Sequence, residues 1–435
     1  MSQFVRQKKS QRKHPIVSST TSLLKGPAVP VAAKERPGWK GPGFIKKGPK
    51  QQRPQTVASS STAPNIQEQS LPLELQQLLL NIFRTTFPVC QEYEMLKPTL
   101  REINNALSVG DHEKAYGQPD WLEAYTVRWS PNRALCYASI LVGLCEEFPE
   151  EPCIRKLLGS VDCDKGEELD STKITANPLK MICFGGNAAE VMAVAAIIRH
   201  VSPDAAGKPV GEAFESDSTA GSTAVPPLSG STAPTQSLDV HLVDIANWVS
   251  VISSLQTGLV TAPTLSKYAS ATAKANNASF LGPDVLKPSF QQINIFDASQ
   301  EELTSMIGAE PALVTLCFTL NDLRISSVTK TATFLLKLTI AMPKKSLLLI
   351  VDPQDLPSET AAQSTHTGEA KPMYSINSLL DMVLMEKRTT NGIADKPAWT
   401  KLVEDRSRLF KLDEKLRYPL SLENIKFQVH LFRRQ

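Results

Sequence analysis

The 435-residue chain is expected to fold as an open α/β protein. Its sheet should be mostly parallel with an antiparallel C-terminal strand, preceded by a helical region and a disordered basic arm. Three observations predict this. Short apolar runs at Met181–Phe184, Leu238–Ile245, Phe290–Phe296, Leu313–Leu320 and Ser346–Val351 alternate with helix-length segments, the alternation that builds parallel sheets covered on both faces. The later runs end on or beside Asp244, Asp297, Asn321-Asp322 and Asp352, polar groups at the carboxyl edge where such sheets bind ligands. The first run ends instead on Gly185-Gly186, and the next helix, from Ala188 to Ile198, is apolar all round, as a helix buried in the layer beside a sheet must be.

Taken in order, residues 1–69 form the arm. The first 54 residues carry thirteen Lys or Arg and one acid, Glu35, leaving the rest of the chain with 34 basic and 43 acidic residues, so the net charge of +3 hides a strong asymmetry. The arm is rich in Pro, Gly and Ser and cannot bury a core. It reads as a phosphate-binding arm or a nuclear address, with a solvated tail as the bland alternative.

Residues 70–175 form the helical region. Ser70 is a candidate cap, with Pro72 and Glu74 in the first turn and Leu75, Leu78, Leu79, Ile82 and Phe83 at helical spacing. A second start is expected at Ser130-Pro131, because Ser caps well and Pro suits the first helical position. Arg128 and Arg133 beside it could touch RNA or another anion, or be structural.

Residues 176–435 form the sheet domain, interrupted by Ser-, Thr- and Pro-rich insertions at about 202–237 and 357–371. Helices are expected over about 266–279, 329–342 and 377–387. Near the end Ile425, Phe427, Val429 and Leu431 alternate with Lys426, Gln428 and His430, the two-residue period of an antiparallel strand.

A strand that turns through glycines into a helix can bind a ligand, since glycine allows close backbone approach and the helix start presents free N–H groups. A tight α/β corner is the other reading of the turn alone. Its spacing is not the G-x-G-x-x-G of dinucleotide oxidoreductases. Seven cysteines without a C-x-x-C pair fit reduced thiols, and six scattered histidines argue against a metal site. No apolar run has membrane-spanning length and no apolar signal region follows Met1, so a soluble, non-secreted protein is expected.

Five stretches carry a family resemblance: Val127–Ala134 (VRWSPNRA), Cys183–Glu190 (CFGGNAAE), Val243–Trp248 (VDIANW), Val314–Leu323 (VTLCFTLNDL) and Arg417–Asn424 (RYPLSLEN). In these the chain resembles the S-adenosylmethionine-dependent methyltransferases with a Rossmann-like class I sheet. More narrowly, it is similar to the fungal uridine-N3 methyltransferases of large-subunit (25S) ribosomal RNA. The resemblance implies S-adenosyl-L-methionine as cofactor, ribosomal RNA or the pre-ribosomal large subunit as partner, no membrane and no metal, a monomer, and a nuclear or nucleolar location with the cytoplasm as a second place. The candidate cofactor-binding residues are Gly185, Gly186 and Asn187 at the turn, Asp244 and Ile245 for the ribose, Asp297 for the adenine amino group, and Asn321. Asn321 and Asp322 lie where the acceptor enters in this enzyme class, with Asp322 the candidate base and a helix cap its equal alternative.

Carbon-5 methylation of a pyrimidine needs a cysteine nucleophile, whereas Cys183 and Cys317 sit in apolar runs and read as core. Exocyclic-amine methylation often uses Asn-Pro-Pro-aromatic after the fourth strand, where this chain has Asn321-Asp322-Leu323. A ribosome-assembly factor that keeps the fold for cofactor binding alone is the alternative function.

Overall fold

The computed structural model describes residues 71–159, 178–207, 238–355, 374–386 and 397–435, with the backbone of short strands at 65–67, 389–390 and 393–394. The rest of the expected arm, the Ser70 cap, residues 208 to 237 of the first insertion and all of the second, 357 to 371, lie outside the described residues; the start of the first insertion, residues 202 to 207, is instead structured, with a 3-10 turn at Pro203–Ala205 and Ala205 buried. After β1 (Asn65–Gln67), the helical region comprises α1 (Leu73–Thr86), α2 (Tyr93–Ser108), α3 (His112–Tyr116), α4 (Pro119–Glu147) and α5 (Pro152–Leu157). The alternating part follows as β2 (Leu179–Phe184), α6 (Ala188–Val201), β3 (Leu238–Asp244), α7 (Val249–Val260), α8 (Ala271–Ala275), β4 (Ser289–Gln292), α9 (Gln300–Ile307), β5 (Leu313–Cys317), α10 (Leu320–Ser326), α11 (Val328–Ala341), β6 (Leu347–Pro353) and α12 (Ile376–Leu384). A two-residue pair, β7 (Thr389–Thr390) and β8 (Ile393–Ala394), precedes β9 (Trp399–Phe410) and β10 (Ile425–Arg434).

One sheet of eight strands has the order β1-β9-β10-β6-β5-β2-β3-β4. Strands β2 to β6 pair in parallel, and β10 runs antiparallel to β6 and β9. The chain leaves β2 toward β3 on one side and returns to β5 on the other, which makes the β2/β5 boundary the topological switch point.

Alternation along the central strand divides the core. Met181 and Cys183 face α1, α4, α6 and α7, while Ile182 and Phe184 join the residues of α9, α11 and α12. Every residue of α6 from Ala188 to Ile198 is buried, because α6 is covered by the sheet on one side and by α4 on the other. Strand β9 has no counterpart in the apolar patterning of the sequence. Its run from Lys401 to Arg408 is dense in charge, and the ion pairs Lys401–Glu404 and Arg406–Glu404, both at 2.6 Å, use charges in place of an apolar alternation.

The expected helix start at Ser130-Pro131 is replaced by a continuous helix. Ser130 and Pro131 are buried inside α4, which begins at Pro119 with proline at its first position. Pro131 lacks the N–H that would bond the carbonyl four residues back, and the Tyr418 hydroxyl donates to that carbonyl, Val127 O, at 3.0 Å. The Asn132 amide likewise donates to Glu423 O at 3.2 Å, and Arg128 pairs with Glu423. Two of the stretches singled out in the sequence therefore brace each other, and Arg128 is structural. A Tyr418→Phe protein is expected to lose about 1–2 kcal/mol of stability, because a carbonyl is left without its donor; urea unfolding with an unchanged slope checks this.

Candidate active site

The carboxyl ends of β2, β3, β4 and β5, roofed by α2, α3 and α4, enclose a cavity of about 350 Å³. That volume suits a nucleoside-sized ligand. Gly185 follows β2 with φ +72°, a backbone conformation that side chains resist, and its N–H donates to Val243 O at 2.7 Å. A Cβ at Gly185 would collide with the Thr319 side chain, so the turn after β2 packs its bare backbone against the Thr319 side chain that follows β5. Asn187 caps α6: its Oδ1 accepts the Ala189 N–H at 3.2 Å, while the buried Glu190 accepts the Asn187 N–H at 2.9 Å. Burial pushes Glu190 up to about 7, with the Asn187 N–H opposing.

Asp244 ends β3 in the cavity wall, and its Oδ1 accepts the Ala246 N–H at 2.7 Å. Burial raises its carboxyl to about 6, against the Ala246 N–H and the Trp248 indole N–H beside it. Ile245, Ile293 and Phe296 supply apolar wall. Across the cavity Phe318 adopts φ +55°, a strained value for an aromatic residue of the kind that collects at functional sites. The Arg133 guanidinium lies over the Phe318 ring, 4.9 Å from its centroid, and donates to the Tyr125 hydroxyl at 2.5 Å. Asp322, on α10, stands at the mouth. Partial desolvation raises its carboxyl, with the charges of His112 and Arg133 opposing.

Of the residues expected from the sequence, Gly185, Asn187, Asp244, Ile245 and Asp322 are brought together around this cavity. Gly186 is buried behind the turn, where a Cβ would meet Cys183 at 2.6 Å. Asn321 faces the other way, its Oδ1 accepting from the buried Arg324 at 2.5 Å. Asp297 is exposed and outside the lining. The strand expected to reach Phe296 stops at Gln292, and Asn294 turns the chain by accepting the Phe296 N–H at 3.1 Å. The cavity therefore meets Ile293 to Phe296 where Asp297 was expected.

Sequence reasoning missed His112, Tyr116, Tyr125 and Trp248 in the wall. Trp248 and Arg133 lay within the stretches that carried the resemblance, but nothing in the spacing of His112 or Tyr116 marks a site. Cys317 closes β5 and touches the cavity, and burial raises its thiol far above the ordinary range, with Glu190 adding to the shift. It is no thiolate nucleophile.

A parallel sheet with a glycine turn at its switch point and an acid at the end of the neighbouring strand has the layout of a nucleoside-cofactor site. The sequence profile of the family described as "Putative SAM-dependent methyltransferase" matches residues 83–433, and the chain belongs to that family. A relative from Saccharomyces cerevisiae, 25S rRNA (uridine(2843)-N(3))-methyltransferase, is 26% identical over 366 residues, covering 82% of this chain and 85% of its own. A solved SAM-dependent methyltransferase from Methanosarcina mazei is 10% identical, with 59% of this chain and 92% of that one covered and a TM-score of 0.28.

The residues present fit S-adenosylmethionine. The backbone at Gly185 and Asn187 borders the cavity, Asp244 lines it with one oxygen engaged by the Ala246 N–H and a second carboxylate oxygen besides, and Ile245, Ile293 and Phe296 supply apolar wall.

Proposed function

We propose that this protein methylates N3 of a uridine in large-subunit ribosomal RNA, using S-adenosylmethionine held in the β2/β5 cavity. The observation that carries the chemistry is Asp322, a carboxylate in the lining of a cavity whose one cysteine is buried at the end of its strand. The choice of uridine N3 is supported by the family resemblance and by the name of the yeast relative. When bound, the cofactor supplies an electrophilic methyl carbon and keeps the electron pair of the broken bond on sulfur.

The protein's part is to align and to move one proton. Gly185, Asn187 and the Arg133 guanidinium would hold the methionine end, Asp244 would accept the ribose hydroxyls, and Ile245 with the loop from Ile293 to Phe296 would flank the adenine. Asp322 accepts the N3 proton, leaving the nitrogen pair to form the new bond. N3 lies on the pairing edge of uracil, so the base must be unpaired and turned into the mouth. A nucleolar site of action follows from a pre-ribosomal substrate.

Mass spectrometry of ribosomal nucleosides from cells lacking the protein tests this reading, with loss of one N3-methyluridine expected. Unchanged N3-methyluridine would leave a cofactor-binding assembly factor. For the basic arm, deletion of residues 1–54 is expected to weaken RNA binding and flatten its salt dependence, since each neutralised phosphate adds about one unit of slope. Binding isotherms at several salt concentrations measure it, and cofactor affinity should not change.

A further inference from the structure

Removing the N3 proton from uracil spreads negative charge onto the two carbonyl oxygens beside it. A base as weak as a carboxylate needs help there, from a donor aimed at one of those oxygens. Asn321 does not supply it, because its side chain is outside the cavity lining, turned toward Arg324, which donates to its amide oxygen.

His112 and Asp322 line the same cavity. His112 comes from a different part of the fold, the short helix α3. The imidazole is stacked on Tyr116, with centroids 6.1 Å apart and planes 11° from parallel. Tyr116 in turn abuts Tyr125 at 5.4 Å and Trp248 at 6.0 Å. The helix itself is anchored, since Asp111 Oδ1 accepts the Lys114 N–H at 3.0 Å and Ala115 is fully buried. The imidazole thus stacks on a Tyr116 ring that is itself packed against Tyr125 and Trp248, and Asp322 reaches the cavity from α10.

We propose that His112 is a catalytic residue of the methyl transfer, donating a ring N–H to a uracil carbonyl beside N3 while Asp322 takes the N3 proton. The inference rests on the uridine-N3 reading. It also accounts for a pyrimidine preference of a particular kind: uracil offers a carbonyl, N3–H, carbonyl edge, which matches a donor beside an acceptor. Cytosine has no N3 proton for Asp322 to accept.

The test uses the full chain with ribosomal RNA or pre-ribosomal particles as substrate. His112→Phe keeps a flat ring for Tyr116 and removes the donor; it is expected to lower kcat about 100-fold, with cofactor affinity by calorimetry within twofold of wild type. His112→Gln restores a donor and should recover part of the loss. It is also read in place of His112→Phe should that variant fail to bind cofactor. Substituting sulfur for oxygen at C4, then at C2, of the target uridine weakens the acceptor, so on one of the two RNAs the gap between wild type and His112→Phe should shrink to within threefold. A merely structural role would leave the gap unchanged on both RNAs, and that result overturns the inference, as does wild-type kcat in a folded His112→Phe protein. Absence of N3 methylation by the wild-type protein itself overturns the functional reading and this inference together, a different and separately visible failure.

Discussion

An Asp322→Asn protein is expected to bind S-adenosylmethionine as the wild type does and to methylate RNA at least 100-fold more slowly. The substitution keeps shape and removes basicity, and a positioned general base contributes about 10²–10⁴ in rate. Partial desolvation raises the Asp322 carboxyl while His112 and Arg133 pull it down. The acid form cannot take a proton, so activity should fall as pH drops through the raised pKa. That limb should lie higher than that of a free aspartate and vanish from the residual activity of the variant. Single-turnover rates across pH measure both. Full rate in the Asp322→Asn protein would remove Asp322 from the chemistry and leave it as the first-turn acid of α10.

Asp244→Ala is expected to weaken cofactor binding by about 1.5–3 kcal/mol, roughly 10- to 150-fold, through loss of charge-assisted hydrogen bonds to the ribose. The pH dependence has a definite sign. Asp244 is pushed up to about 6 in the free protein, and hydroxyl donors favour its ionised form, so affinity should fall by up to tenfold per pH unit below about 6 and level off above it. Free-protein stability should show the opposite trend. An acid whose folded pKa is raised above its unfolded value disfavours folding once ionised, with the penalty developing between about pH 4 and 6. Asp244→Asn should therefore raise the Tm of the cofactor-free protein at pH 7 while impairing binding. Calorimetry and thermal unfolding of the same variant separate the two effects, and unchanged affinity in folded Asp244→Ala would place the ligand elsewhere.

Patterns that depend on neighbours in the chain were legible in the sequence. The apolar run into Gly185, the long apolar run of α6 broken only by Glu190 before Arg199, and the alternation of β10 are local periodicities, and burial on one face or both writes them directly into residue order. Asp244 was found for the same reason, because the last residue of a buried strand emerges at the sheet edge whatever surrounds it. Cys183 and Cys317 were correctly read as buried, though the cavity reaches Cys317 at the end of its strand.

What the tertiary structure alone decided is which way side chains face and which distant segments meet. Asn321 and Asp322 are adjacent in sequence, yet helical geometry turns them about 100° apart. Arg324 then holds Asn321 away from the cavity that Asp322 borders. Pro131 reads locally as a helix start, but α4 runs through it, and the Tyr418 hydroxyl, 291 residues away in sequence, takes the carbonyl that the missing N–H leaves open. Strand β4 ends at Gln292 because its ladder with β3 ends there, a pairing that the apolar run to Phe296 does not encode. His112, Tyr116 and Arg133 reach the cavity from helices α3 and α4, well before the glycine turn in sequence. Their place in the site follows from packing against the sheet, a relation between surfaces that no spacing within either segment records.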